Sequence, residues 1–186
     1  MTLSILTISV IAGLMLAENQ VSRRHERLLR ARGAVMPPGD VFAWLRIVYP
    51  AAFIVMGVES FWRAAVVGTS VSAYPGPSWF ASGVLMFAAA KALKFWAIGT
   101  LGERWSFHVY FLPNAPPVNA GPYRYVAHPN YIAVVGEVVG TAMMVGAPIT
   151  GPASLVAVGI VLLARIRFEN RVITAMAESA RAAPRG

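Results

Sequence analysis

No cysteine occurs among the 186 residues, which excludes disulfides, thiolate metal sites, iron–sulfur clusters and a cysteine nucleophile. Charge is scarce as well. Asp, Glu, Lys and Arg make up 13% of the chain, against about 25% in soluble domains. Three histidines with no H-E-x-x-H pattern make poor metal ligands, so no metal is expected. G-x-G-x-x-G and G-x-x-x-x-G-K-[ST] are absent, which removes the soluble-fold ways of binding dinucleotides and nucleotide phosphates. The G-x-S-x-G nucleophile elbow is missing too. No internal repeat appears, which argues against a symmetric transporter. What is present is apolar: 57% of residues are hydrophobic and mean hydropathy is +0.60. Neither a soluble globule nor a disordered tail has that composition. The chain reads as an all-α integral membrane protein.

A membrane span needs about 20 mostly apolar residues. Five stretches qualify, at 3–17, 42–67, 78–98, 131–149 and 152–165. The first lacks the basic residues that precede the apolar core of a signal peptide. Glu59 and Arg63 in the second are spaced to pair on one helix face. Lys91 and Lys94 near the end of the third are placed to snorkel toward headgroups. Pro148-Ile149-Thr150-Gly151-Pro152 joins the last two as a helical hairpin. Everything belongs to one domain, residues 1–186, with three N-terminal spans (3–98) and a C-terminal core (99–176).

Arginine distribution sets an orientation. Arg23, Arg24, Arg27, Arg30 and Arg32 follow the first span, Arg104 and Arg124 follow the third, and Arg165, Arg167, Arg171, Arg181 and Arg185 follow the fifth. The N-terminus, residues 68–79 and the 148–152 turn carry no charge. Five spans put all basic segments on one side, which the positive-inside rule makes cytoplasmic, with the N-terminus outside. The net charge of +8 is thereby read as topogenic rather than as a nucleic-acid footprint. Residues 19–32, with Val21, Leu28 and Leu29 among arginines, suggest a short amphipathic helix on the membrane surface.

Polar groups gather in three places. In 101–131, LGERWSFHVYFLPNAPPVNAGPYRYVAHPNY, Pro129 suits the first turn of a helix, where its missing N–H costs nothing. His128 then stands at the helix mouth, where free N–H groups and the dipole favour an anion. In RIRFENR, Arg165 and Glu169 share a face. Glu137 lies eight residues past Pro129, about 12 Å along the helix. An acid at that depth must be paired, protonated or facing a polar cavity. Gly136 and Gly140 flank it at a spacing that lets helices pack closely.

The run G121-P-Y-R-Y-V-A-H128-P-N-Y131, a hairpin, and then R165-I-R-F-E169-N resembles the isoprenylcysteine carboxyl methyltransferase family over about residues 101–171. The resemblance implies an integral membrane enzyme that uses S-adenosylmethionine in a cytoplasmic pocket. It implies cofactor contacts at Tyr123, His128, Pro129, Asn130, Tyr131 and Glu169, and more loosely at His108, Pro116, Pro117 and Val118. Arg165 matches the arginine that faces the acceptor. Two positions depart from the family pattern: Ala127 stands where an arginine is usual, and Asn170 where a second acid is usual.

Details such as Glu169-Asn170 and His-Pro-Asn-Tyr are similar to a bacterial branch whose members O-methylate alkylpyrones or alkylresorcinols. The resemblance thus implies as acceptor a lipophilic small molecule or a prenylated cysteine reached from the membrane lipid. A hydroxyl acceptor must lose a proton, for which Glu137 is the candidate base or hydrogen-bond partner. Two other readings stand beside this one: an NADPH-dependent membrane reductase of the sterol-reductase type, and a non-catalytic scaffold binding anionic lipid.

Overall fold

The computed structural model describes residues 2–66, 76–112, 115, 116 and 118–182, with side chains from 3 to 174. Five helices follow in order: α1 (Thr2–Ala31), α2 (Phe42–Val66), α3 (Pro77–Leu101), α4 (Pro129–Val145) and α5 (Thr150–Ala182). Two 3-10 turns, Gly102–Arg104 and Gly121–Arg124, interrupt the long α3–α4 connection. Among the described residues there is no strand, only an isolated antiparallel bridge between Val35 and Phe111. Among the described residues, four helices are long and apolar enough to cross a membrane. The fifth, α4, has 17 residues and reaches about 25 Å, the lower limit for the hydrocarbon core.

The first helix does not end where the apolar run ends. No glycine or proline lies between Leu14 and Arg32, so α1 continues as one helix through the basic segment, and Gly33 at φ 79° closes it. The separate surface helix expected at 19–32 is instead the last four turns of α1. The neutral 68–79 connection falls mostly outside the described residues.

The closest helix pairing is α3 against α4, and glycines make it possible. A Cβ on Gly140 would lie 2.8 Å from the Phe87 backbone nitrogen and 2.9 Å from the Gly83 carbonyl oxygen. One on Gly136 would lie 2.9 Å from the Ala90 Cβ. The close approach expected from Gly136 and Gly140 is what the bundle uses, with Gly83 as the reciprocal small residue. At the hairpin, Gly146 caps α4 in the left-handed region (φ 68°), and α5 starts at Thr150.

Glu59 faces the start of α5. Its carboxylate accepts the backbone N–H groups of Ile149 (3.2 Å) and Thr150 (2.7 Å) and the Thr150 hydroxyl (2.6 Å). An acid at the positive end of a helix is favourable, and this contact ties α2 to the hairpin. At the same end Ser4 bonds Ser60 across α1 and α2. The opposite end gathers the C-terminal half of α1, the starts of α2 and α4, the 102–111 loop and Arg165 of α5.

Candidate active site

That second end holds a cavity of about 260 Å³. One wall is the continuous run from Arg104 to Tyr110, and another is Ala127 to Tyr131 at the mouth of α4. Leu45 at the start of α2, Leu101, Tyr123, Arg165, Glu169 and Ile173 complete it. Local sequence explains each wall. Gly121 has φ +54° and passes so close to Thr100 that any Cβ would collide with its side chain, which fixes the turn carrying Tyr123. Pro129 occupies the first turn of α4 with His128 at the N-cap, as expected from the missing N–H.

Glu169 is the hub. Its Oε1 accepts the Tyr131 hydroxyl and the Arg165 Nε (3.1 Å), and its Oε2 lies 3.4 Å from the His128 Nδ1. The His128 and Tyr131 rings stack at 5.4 Å and 21°. The hydrogen bond to Glu169 outweighs partial burial and raises His128 above the ordinary histidine value, favouring imidazolium. Burial, and then the negative charge of Glu169, push the Tyr123 phenol up to about 12, so it stays a hydrogen-bond donor at neutral pH. Asn130 is unlike its neighbours: its Oδ1 is buried and has no hydrogen-bond partner among the described residues.

Arg165 is 3% exposed and engages five partners. It donates to the Tyr131 hydroxyl (2.7 Å), to Glu169 and to the Phe107 carbonyl, lies 3.4 Å from Asp40 Oδ1, and sits over the Phe42 ring. It therefore joins α5 to α4, to the loop and to the start of α2. Asp40, which the sequence reading passed over, has a second duty. Its Oδ1 accepts the Phe42 N–H (2.9 Å) at the start of α2, and its Oδ2 accepts the Val109 N–H (3.2 Å). An Asp two residues before a helix start was the available signal.

The 102–111 wall is held from the other side by α1. His25 bonds the Trp105 carbonyl (2.8 Å), Ser22 accepts the Phe107 N–H (2.8 Å), Glu26 lies 3.0 Å from the His108 Nδ1, and Arg30 bonds the Tyr110 hydroxyl (2.6 Å). Arg32 pairs with Glu103. This is the structural work of the basic segment.

Glu137 is not brought to this cavity. It is fully buried, accepts the Tyr49 hydroxyl, and pairs with Lys94 (2.7 Å) and Lys91 (3.2 Å). Both lysines also reach Glu18 of α1, Lys91 at 2.5 Å and Lys94 at 3.2 Å. The expectation that Lys91 and Lys94 snorkel outward is corrected here. Each is 6% exposed or less, because two acids in the same layer give their ammonium groups partners that headgroups need not supply. The expected Glu59–Arg63 pairing is likewise replaced, at Glu59, by the cap on α5.

Residues 83–175 match the isoprenylcysteine carboxyl methyltransferase family. The chain belongs to that family. Every wall of the cavity except the start of α2 lies in the matched region. Two curated relatives are similar along most of the length. One is the uncharacterized protein YpbQ of Bacillus subtilis (strain 168), 23% identical over 84% of this chain and 88% of its own. The other is an uncharacterized protein of Haemophilus influenzae, 25% identical over 91% of this chain and 94% of its own. No solved structure matches.

Of the positions the family resemblance singled out, Tyr123, His128, Pro129, Asn130, Tyr131, Glu169, Arg165 and His108 all line the cavity. Pro116 and Val118 do not; Pro116 is exposed, and its carbonyl accepts Arg104 at 2.8 Å. Pro117 lies outside the described residues. Ala127 sits exposed on the cavity rim where the family usually has arginine. Among the described residues no group of acids and histidines is placed to hold a metal.

Proposed function

We propose that the chain is an integral membrane O-methyltransferase that uses S-adenosylmethionine and methylates a lipophilic acceptor, either an isoprenylcysteine-type carboxylate or the hydroxyl of an alkylpyrone- or alkylresorcinol-type lipid. The observation that carries this reading is the convergence of Tyr123, His128, Asn130, Tyr131 and Glu169 on one cavity within the family region. Their chemistry fits the cofactor. Glu169 suits a cationic sulfonium or ammonium, and the Tyr123 and Tyr131 rings favour a cation beside them. His128, biased toward its charged form, and the N-terminal end of α4 suit a carboxylate. Asn130 Oδ1 is a buried acceptor short of one donor, the atom that a bound N–H or hydroxyl would satisfy.

When bound, S-adenosylmethionine supplies an electrophilic methyl group. The chain's own part is to position and to exclude water. Arg165 fixes Glu169 and Tyr131 relative to the loop and the start of α2, so one side chain sets the shape of the pocket. Arginines of α1, the loop and α5 cluster at the cavity end, which supports a cytoplasmic site with the N-terminus on the far side of a bacterial inner membrane. Acceptor reaches the site from the bilayer, cofactor from the cytosol.

Incubation of detergent-purified protein with methyl-labelled S-adenosylmethionine and, in turn, farnesylcysteine, an alkylresorcinol and an alkylpyrone tests this reading. Label is expected in an organic-soluble product of one of them, and to vanish in His128→Ala/Glu169→Ala. No label in any product, together with NADPH binding, would replace the methyltransferase by a reductase.

A further inference from the structure

A second cavity, of about 390 Å³, adjoins the first between the 36–40 segment and the first turn of α2. Its walls are largely apolar (Met36, Pro37, Phe42 and Ala43), with Asp40 and Arg46 as the charged residues that line it. Among the described residues, His108 alone lines both cavities. Its ring is fixed on several sides. Nδ1 is 3.0 Å from Glu26 Oε1, that same oxygen accepts the Ser22 hydroxyl (2.9 Å), and Ser22 in turn accepts the Phe107 N–H. Ser106 donates to the His108 carbonyl (2.7 Å), and the Phe42 ring packs at 4.5 Å and 66°. Nε2 has no partner among the described residues, and the side chain is 31% exposed. A carboxylate on one imidazole nitrogen keeps the proton there and leaves the lone pair on the other. Neither Glu26 nor Ser22 has a part in the cofactor contacts described above.

We infer that His108, oriented by Glu26, is a general base, and that the acceptor methylated between these two cavities is the hydroxyl of a phenolic or enolic lipid rather than a carboxylate. This rests on the methyltransferase reading. The acceptor's ring lies in the apolar second cavity, with its hydroxyl toward Nε2. The hydroxyl proton passes to Nε2 as an oxygen lone pair forms the O–CH₃ bond; the methyl–sulfur bond breaks and its electron pair stays on sulfur. The products are an ether, a neutral thioether and an imidazolium facing Glu26, which returns its proton to water. A carboxylate acceptor has no proton to give and no use for this pair. Glu26 acts through His108 and is a positioning residue; Glu137, closed off by two lysines and Tyr49, is unavailable as the base.

The test uses the full chain in detergent with an alkylresorcinol as acceptor. His108→Gln is expected to lower methyl transfer about 100-fold, within the usual range for general base catalysis. Glu26→Gln should lower it less, and added imidazole should restore part of the turnover of His108→Ala. The loss in His108→Gln should shrink as more acidic phenols are supplied. Independent of turnover, the visible absorbance of a bound alkyl-4-nitrophenol should show more anion with the intact protein than with His108→Gln. S-adenosylhomocysteine binding, titrated for each variant, reports folding and an intact cofactor site. Undiminished phenol methylation by His108→Gln overturns the inference and leaves the methyltransferase standing. So does methylation of farnesylcysteine alone, or loss of S-adenosylhomocysteine binding in His108→Gln, which makes His108 a cofactor contact. If the intact protein fails to bind S-adenosylhomocysteine, the methyltransferase reading falls and the inference falls with it.

Discussion

Glu137 and Glu169 each accept a tyrosine hydroxyl and each face cations, yet one is sealed in the bundle and the other opens on a cavity. Around Glu137 the ledger of charge closes: Glu18 and Glu137 against Lys91 and Lys94, all buried, on helices α1, α3 and α4. Around Glu169 it does not. His128 remains partly open, Asn130 Oδ1 lacks a donor, and the cluster borders about 260 Å³ of space. Buried acids are therefore poor guides to function until their partners are known. A charge-balanced cluster sealed in the bundle fastens helices, whereas one that opens on a cavity can take a ligand.

The largest effect should come from opening the sealed cluster. Glu137→Ala leaves two buried ammonium groups with Glu18 alone, and should destabilise the protein by about 3–5 kcal/mol. Thermal unfolding in detergent measures this. Adding Lys94→Met should recover part of the loss, because the two residues share one network. If Glu137→Ala instead abolishes S-adenosylhomocysteine binding in protein that is still folded, the division between fastener and site is wrong.

Glu169→Gln should do the reverse. Cofactor-product binding, read by calorimetric titration, is expected to weaken by about 1.5–3 kcal/mol, the scale of a charged hydrogen bond. The change in unfolding temperature should be smaller than for Glu137→Ala. Gly140→Val sharpens the comparison from the packing side. Its methyl groups have no room against Phe87 and Gly83, so a loss of about 1–3 kcal/mol is expected by thermal unfolding.

The smallest effect is the pH dependence of His128. Pairing with Glu169 raises its folded value above that of the unfolded chain. Its contribution is therefore complete below about pH 6.5 and is lost as pH rises through the folded value. The ring is partly solvated, so the difference between wild type and His128→Gln should change by less than about 1 kcal/mol between pH 6 and 8. Unfolding midpoints at several pH values test this, and a gain in stability with rising pH would contradict it.

Much of this was legible in the sequence. Hydropathy located the helices, Gly136 and Gly140 announced a close pairing, and Pro129 marked the start of α4. The candidate site was legible where its residues are neighbours in sequence, at 121–131 and 165–169. What escaped needed partners far along the chain. Asp40 meets Arg165 across 125 positions, and Glu26 meets His108 across 82. Lys91 and Lys94 looked like headgroup seekers because nothing local shows that Glu18 and Glu137 lie in their layer. The length of α1 was misjudged for a different reason: hydropathy ends at Ala17, but helix propensity does not.

The central claim is that the cavity at the mouth of α4 binds S-adenosylmethionine. Calorimetric titration of detergent-purified protein with S-adenosylhomocysteine tests it most directly, with NADPH and the His128→Ala/Glu169→Ala variant run alongside. Saturable binding of S-adenosylhomocysteine by the intact protein, absent in the variant, is the predicted result. Binding of NADPH alone, or S-adenosylhomocysteine binding that survives in the variant, would contradict it.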